Sequence, residues 1–196
     1  MSELGFVAAG FGTSNAMAVT ETSGYEVMRN ALPQEALDRV LRHIHLDIVE
    51  RGLPKEWLSE WLWNAHWFPH LRWDDEVVAL LEQLPADLRS GELCDPQIVG
   101  QMPDERETVE LRSHVDQLPD WSNGRPYLRI LGIALTPNTE ENGGLTVWPL
   151  DGAEPHPVEL DAGDMLVMNP RLPHASGLNR TGSIRYCVYF RFLRPA

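Results

Sequence analysis

The apolar pattern of the chain changes period at Pro85, and that change limits the possible folds more than any other feature. Before it, Ala36, Leu37, Val40, Leu41, Ile44 and Ile48 recur at three- and four-residue steps, which predicts one apolar helical face over Pro33–Glu50, with Pro33 in the first turn. Trp57, Leu58, Trp61 and Leu62 predict a second helix over Glu56–Ala65, and Val77, Val78, Leu80, Leu81 and Leu84 a third over Asp75–Leu84. Tyr25, Val27 and Met28 form a short strand ahead of them, and residues 1–23 read as an irregular arm. After Pro85 the period falls toward two, in short β-forming runs punctuated by Pro, Gly, Asn and Asp. The expected strands are Gln97–Met102, Val109–Asp116, Tyr127–Thr136, Leu145–Pro149, Val158–Leu160, Asp164–Asn169 and Ile184–Leu193. Helices followed by many short strands predict a mainly β protein, a sandwich or barrel backed by N-terminal helices.

A chain of 196 residues that is 43% hydrophobic fills one core and little more. The reading is therefore one domain over 24–196, with 24–90 as mainly helical support and 91–196 as the β core. The formal net charge of −13 repels polyanions, and no Lys/Arg run offsets it, so nucleic acid is not an expected partner. Neither a membrane-spanning stretch nor a secretory signal is apparent. The two cysteines, Cys94 and Cys187, match no zinc or redox spacing, which points to reduced thiols in a cytoplasmic protein.

The chemistry concentrates in the second half. Ser113-His-Val-Asp116 puts His114 and Asp116 two residues apart on a predicted strand, so both side chains leave the same face. The spacing alone carries little, because His45-Leu46-Asp47 has it too. On a helix, however, two positions are about 200° apart and cannot converge, and that pair is expected on the solvated edge of the first helix. Downstream, a turn at Ala162-Gly163 enters a strand whose end delivers His174, and eleven residues later comes Arg185. Alternation along the last strand places Ile184, Tyr186, Val188, Phe190 and Phe192 toward the helices and Arg185, Cys187 and Tyr189 on the inner face.

An arginine on an inner sheet face needs an anion. Two histidines and a carboxylate on one side of a metal leave three positions open, the arrangement of non-haem Fe(II) oxygenases. Those positions suit O2 and the 2-oxo acid end of 2-oxoglutarate, whose distal carboxylate calls for a planar two-pronged donor such as a guanidinium. Arg185 fits that role better than Arg180, which falls in the turn Asn179-Arg-Thr-Gly182.

The segments Gly24–Pro33, His114-Val-Asp-Gln117, Glu141-Asn-Gly-Gly-Leu145 and Gly163 through His174 to Asn179 and Arg185 together resemble the phytanoyl-CoA dioxygenase-like branch of the 2-oxoglutarate oxygenases. The resemblance implies a double-stranded β-helix, a squashed jelly roll of cupin-like form with iron at its open mouth. It also implies metal ligation by His114, Asp116 and His174, and oxidative decarboxylation of 2-oxoglutarate to succinate and CO2. Asp116 argues against a halogenase, which by the same resemblance has a small residue in place of the carboxylate. The chain is short for the branch, and Pro149-Leu-Asp-Gly152 stands where the family has Gly-Ser-His.

The remaining candidates are weaker. Gln101, Thr146 and Trp148 are expected to line the cosubstrate pocket. Core packing is the simpler account of the tryptophans in 57–73, but Trp63, Trp67 and Arg72 also suit a wall that meets substrate. Arg129 suits an acidic substrate or a surface ion pair. His66 and His70, interrupted by Pro69, make no second metal site. The reaction expected is hydroxylation of a small-molecule substrate. The alternatives are a cupin-type metal enzyme that does not use 2-oxoglutarate, which has no need of Arg185, and an inactive ligand-binding barrel, which has no need of the triad.

Overall fold

A computed structural model describes residues 20–55, 64–106, 110–116 and 125–194, except the side chain of Asp95. Strand β1 (Tyr25–Met28) precedes helix α1 (Gln34–Arg51); strand β2 (Ala65–Trp67) and a 3-10 turn (Pro69–Leu71) lead to helix α2 (Asp75–Glu82). Seven strands follow: β3 (Glu92–Gln101), β4 (Tyr127–Ala134), β5 (Leu145–Val147), β6 (His156–Val158), β7 (Met165–Met168), β8 (His174–Ser176) and β9 (Arg185–Leu193). They form a six-stranded sheet in the order β1-β7-β4-β9-β3-β2 and a three-stranded sheet in the order β6-β5-β8. All strand pairs are antiparallel.

Two apolar layers follow from the alternation. The outer face of the large sheet presents Ile98, Leu131, Ile133, Met165, Val167, Tyr186, Val188, Phe190 and Phe192 to Leu37, Val40 and Ile44 of α1 and Val77, Leu80 and Leu81 of α2. The inner layer holds Ile130 and Ala134 of β4, Leu166 and Met168 of β7, Leu145 and Val147 of β5, and Val158. Helix α1 starts after Pro33, whose extended backbone caps it without a side-chain bond; Asp74 caps α2 by accepting from the Glu76 amide at 3.0 Å.

The turn at Ala162-Gly163 is tight for a visible reason. Gly163 has φ +89°, and a Cβ there would lie 2.7 Å from the Leu32 carbonyl oxygen. The same close approach lets Leu32 N donate to Gly163 O at 3.0 Å, tying the entry of α1 to the start of β7.

Several expectations are corrected. The segment ending at Ala65 is not helical at its end, since Ala65–Trp67 pairs with Val99–Gln101 as β2; residues 56–63 lie outside the described residues. Residues 110–116 form no strand, and His114 makes a single bridge with His174. Asp47 is buried rather than solvated, and it accepts an ion pair from Arg51 one helical turn on, at 3.0 Å. The arm at 1–19 is outside the described residues. Strand β8 had no counterpart in the sequence reading, because three residues after a proline carry no alternation to detect.

Candidate metal and cosubstrate site

His174 is the fixed point of the site. It opens β8 and faces Val147 across β5, and it is 7% exposed. Its Nδ1 lies 3.0 Å from the Leu172 carbonyl oxygen, which can only accept, so the proton sits on Nδ1 and the Nε2 lone pair is available to a metal. His114 is brought alongside by reciprocal backbone bonds: His114 N donates to His174 O at 3.0 Å, and His174 N to His114 O at 2.9 Å. The two rings stand 4.4 Å apart. Two residues on, Asp116 Oδ1 lies 3.8 Å from His174 Nε2. One ligand atom from each of the three residues falls within 4.8 Å of the others, although the means differ from the expected strand: a bridge to β8 replaces a ladder.

The electrostatics suit a cation. Burial, and then the neighbouring His174, push the His114 imidazole below its ordinary range, favouring the neutral ring that a metal requires. Burial works to raise the Asp116 pKa, but Arg191 and then the two imidazoles outweigh it and hold the carboxyl below its usual range. Two neutral imidazole nitrogens and a carboxylate oxygen are the donor set that iron(II) takes up.

The second half of the site is built by β9. Arg185, Cys187, Tyr189 and Arg191 alternate onto the inner face, opposite the face whose Val188, Phe190 and Phe192 pack on the helices. Arg185 is 4% exposed. Its Nη2 donates to Gln101 Oε1 and its Nη1 to Cys187 Sγ at 3.1 Å. Burial opposes its charge; Cys187 and Tyr189 outweigh that and hold the guanidinium above its ordinary range. Among the described residues no carboxylate pairs with Arg185, and its Nε is buried without a partner. A buried cation in that state matches an anionic ligand.

Tyr189 lies across β4 where Gly132 leaves room, since a Cβ at Gly132 would stand 3.0 Å from its ring. Gln101, opposite Arg185 in the β3–β9 ladder, belongs with this half. Gly143, at φ +78°, lies against it, and a Cβ there would come 2.6 Å from Gln101 Nε2.

Other candidates fall elsewhere. Thr146 is opposite Ala175 and Pro157, on the face of β5 away from Val147 and His174. Trp148 follows β5, its amide donating to Pro173 O at 2.9 Å. Arg129 is drawn to the helix side, where its guanidinium donates to Asp87 O at 2.7 Å and Ser90 Oγ at 2.8 Å in the turn before β3. Trp67 is on β2, in register with Val99 and through it with Cys187 of the inner face. Arg72 donates to Cys94 O at 3.3 Å and stands over Trp73. Trp63 lies outside the described residues. Arg180 is in its expected turn, donating to Arg106 O at 3.3 Å. His66 Nδ1 is bonded to Pro54 O at 2.7 Å, consistent with a structural role.

Arg191 was missed. Counting the alternation one step past Tyr189 finds it, yet nothing in the sequence says that its partner is Asp116, 75 residues away.

The family model described as phytanoyl-CoA dioxygenase matches residues 148–187, a span containing His174 and Arg185. No curated protein matches the sequence. Among solved structures, the non-heme alpha ketoglutarate dependent carbocyclase SnoK from nogalamycin biosynthesis is similar at 15% identity and TM-score 0.70, over 93% of this chain and 84% of that one. A Pseudomonas putida prolyl-4-hydroxylase is similar at 19% identity and TM-score 0.63, over 93% and 99% of the two chains. HygX from Streptomyces hygroscopicus, solved with nickel and 2-oxoglutarate bound, is similar at 14% identity and TM-score 0.64, over 93% and 87%. The two facing sheets are a double-stranded β-helix. The chain shares that fold with these structures, and the family match spans the strands carrying His174 and Arg185.

Proposed function

We propose that the protein is an iron(II)- and 2-oxoglutarate-dependent oxygenase that hydroxylates a small-molecule substrate. The observation that carries this reading is the conjunction of the His114, Asp116 and His174 cluster with a buried Arg185 that pairs with no carboxylate among the described residues. The first is a metal's donor set and the second a carboxylate's receptor. A cupin-type enzyme independent of 2-oxoglutarate has no use for the second.

In this reading a ring nitrogen of His114, Asp116 Oδ1 and His174 Nε2 would hold the metal, and Leu172 O fixes the tautomer of His174. Arg185 binds the distal carboxylate of the cosubstrate, with its guanidinium plane set by Gln101. Cys187 and Tyr189, between Arg185 and Arg191 on β9, form the floor beneath the cosubstrate. Iron held by these residues would supply the redox chemistry for oxidative decarboxylation of a 2-oxo acid by O2. The buried walls exclude water from the reacting groups. Trp67 and Trp148 are proposed to border the substrate or cosubstrate space.

The similar structures include enzymes described as an epimerase, a carbocyclase and a prolyl-4-hydroxylase, so the outcome of oxidation is the part to be tested. The experiment is a screen of small molecules with Fe(II), 2-oxoglutarate and 18O2, reading succinate and product mass. Substrate-stimulated succinate with one 18O in the product supports hydroxylation. Stimulated succinate without label in the product replaces hydroxylation by another oxidation, and succinate formation unaffected by any metal contradicts the class.

A further inference from the structure

Among the described residues, the carboxylate of Asp116 is gripped at one oxygen. Arg191 Nε donates to Oδ2 at 3.0 Å, and Arg191 Nη2 lies 3.0 Å from the same oxygen. Oδ1 is turned the other way, toward His174 Nε2. Both side chains are largely enclosed, at 12% and 13% exposure, so the pair is screened far less than a surface ion pair. The two residues differ in backbone support. Asp116 belongs to 110–116, which has no strand of its own among the described residues and meets β8 through the His114–His174 bridge. Arg191 lies in β9, flanked by β4 through Ile130 and by β3 through Asp95, in the interior of the large sheet.

We infer that Arg191 is a positioning residue for the metal site, holding Asp116 so that Oδ1 alone faces the metal. The inference rests on the proposed metal ligation. Its chemical content is denticity. A carboxylate free to rotate offers a metal both oxygens, and the second would occupy a position that a two-pronged 2-oxo acid needs. With Oδ2 satisfied by two guanidinium donors, Asp116 would remain a one-oxygen ligand, and His114, Asp116 and His174 would together offer three donor atoms. A sheet strand thereby anchors a ligand that lies outside the sheets, as outer hydrogen bonds do for metal ligands in general.

The test uses full-length protein stripped of metal, with Ni(II) affinity measured by calorimetry in the wild type, Arg191→Met, Arg191→Lys and Asp116→Asn. Arg191→Met keeps the length and removes the donors, and is expected to weaken Ni(II) binding about tenfold to a hundredfold. At saturating Ni(II) its affinity for 2-oxoglutarate should also fall, since the freed oxygen competes for a position. Arg191→Lys, with the charge but no fork, should lie between. In a double-mutant cycle, removing Arg191 from Asp116→Asn should have less effect than from wild type, which a merely structural arginine would not show. Circular dichroism and melting identify folded variants; if Arg191→Met does not fold, Arg191→Lys and the cycle built on it decide. Wild-type Ni(II) affinity in folded Arg191 variants, or full additivity in the cycle, overturns the inference while leaving the proposed function standing. Failure of the wild type to bind Ni(II) removes the proposed function and this inference together.

Discussion

Arg185 and Gln101 face each other in the β3–β9 ladder, and their side chains repeat the pairing made by their backbones. The guanidinium donates to Gln101 Oε1, and Gln101 Nε2 donates to the Gly177 carbonyl just past β8. Strand register, a side-chain bond and a link to the strand carrying His174 therefore act on one cation. A receptor held this way loses little freedom when a carboxylate binds.

Replacing Gln101 by Glu keeps the shape and puts a carboxylate against Arg185. The internal ion pair should displace the cosubstrate, raising the 2-oxoglutarate dissociation constant by roughly tenfold or more. Ni(II) affinity should be unchanged, because Gln101 does not touch the triad. Calorimetry with each ligand separately checks both halves.

Arg185→Lys retains the charge and loses the planar fork. If the pair contributes about 1.5–3 kcal/mol, the Michaelis constant for 2-oxoglutarate should rise roughly tenfold to a hundredfold. Arg180→Lys should change it little, since that side chain is in an outer turn bonded to Arg106 O. Succinate formation against 2-oxoglutarate concentration gives the comparison, and a large effect at Arg180 with none at Arg185 would relocate the anion site.

His114→Ala and His174→Ala should each abolish iron-dependent turnover and leave the fold in place. The apolar layers that hold the barrel contain neither residue. Metal titration should show lost affinity while circular dichroism stays that of the wild type. Activity near wild type in both variants, with iron present, would sink the ligand assignment.

Gly163→Ala is a stability prediction. The substituted residue would hold φ near +89° and press its Cβ on the Leu32 carbonyl, costing about 1–3 kcal/mol, with a fall in Tm of roughly 2–4 °C per kcal/mol. Gly152→Ala has a similar φ of +83° but open space around the Cβ, so it should lose less. Equal losses in thermal melts would mean that backbone conformation, not the close approach, governs Gly163.

Much of this architecture was legible in the sequence because it depends on local periodicity. The alternation in β9 separates Arg185, Cys187 and Tyr189 from Val188, Phe190 and Phe192, and the structure keeps that division. The apolar face of α1 was equally clear, from Leu37, Val40 and Ile44. What local pattern does not carry is partnership across the chain. His114 converges on His174 through one backbone bridge rather than a strand; Asp47 is buried beside Arg51 although helical spacing put it at an edge; Arg129 is captured by Asp87 and Ser90 of the turn before β3.

The most direct measurement of the central claim is 2-oxoglutarate binding to the purified protein by calorimetry, with and without Ni(II), in wild type, His174→Ala and Arg185→Lys. The account predicts binding to the wild type that depends on Ni(II), is lost in His174→Ala, and is weakened in Arg185→Lys with Ni(II) affinity intact. Wild-type protein that binds Ni(II) but no 2-oxoglutarate, or binds 2-oxoglutarate equally well without metal, would contradict it.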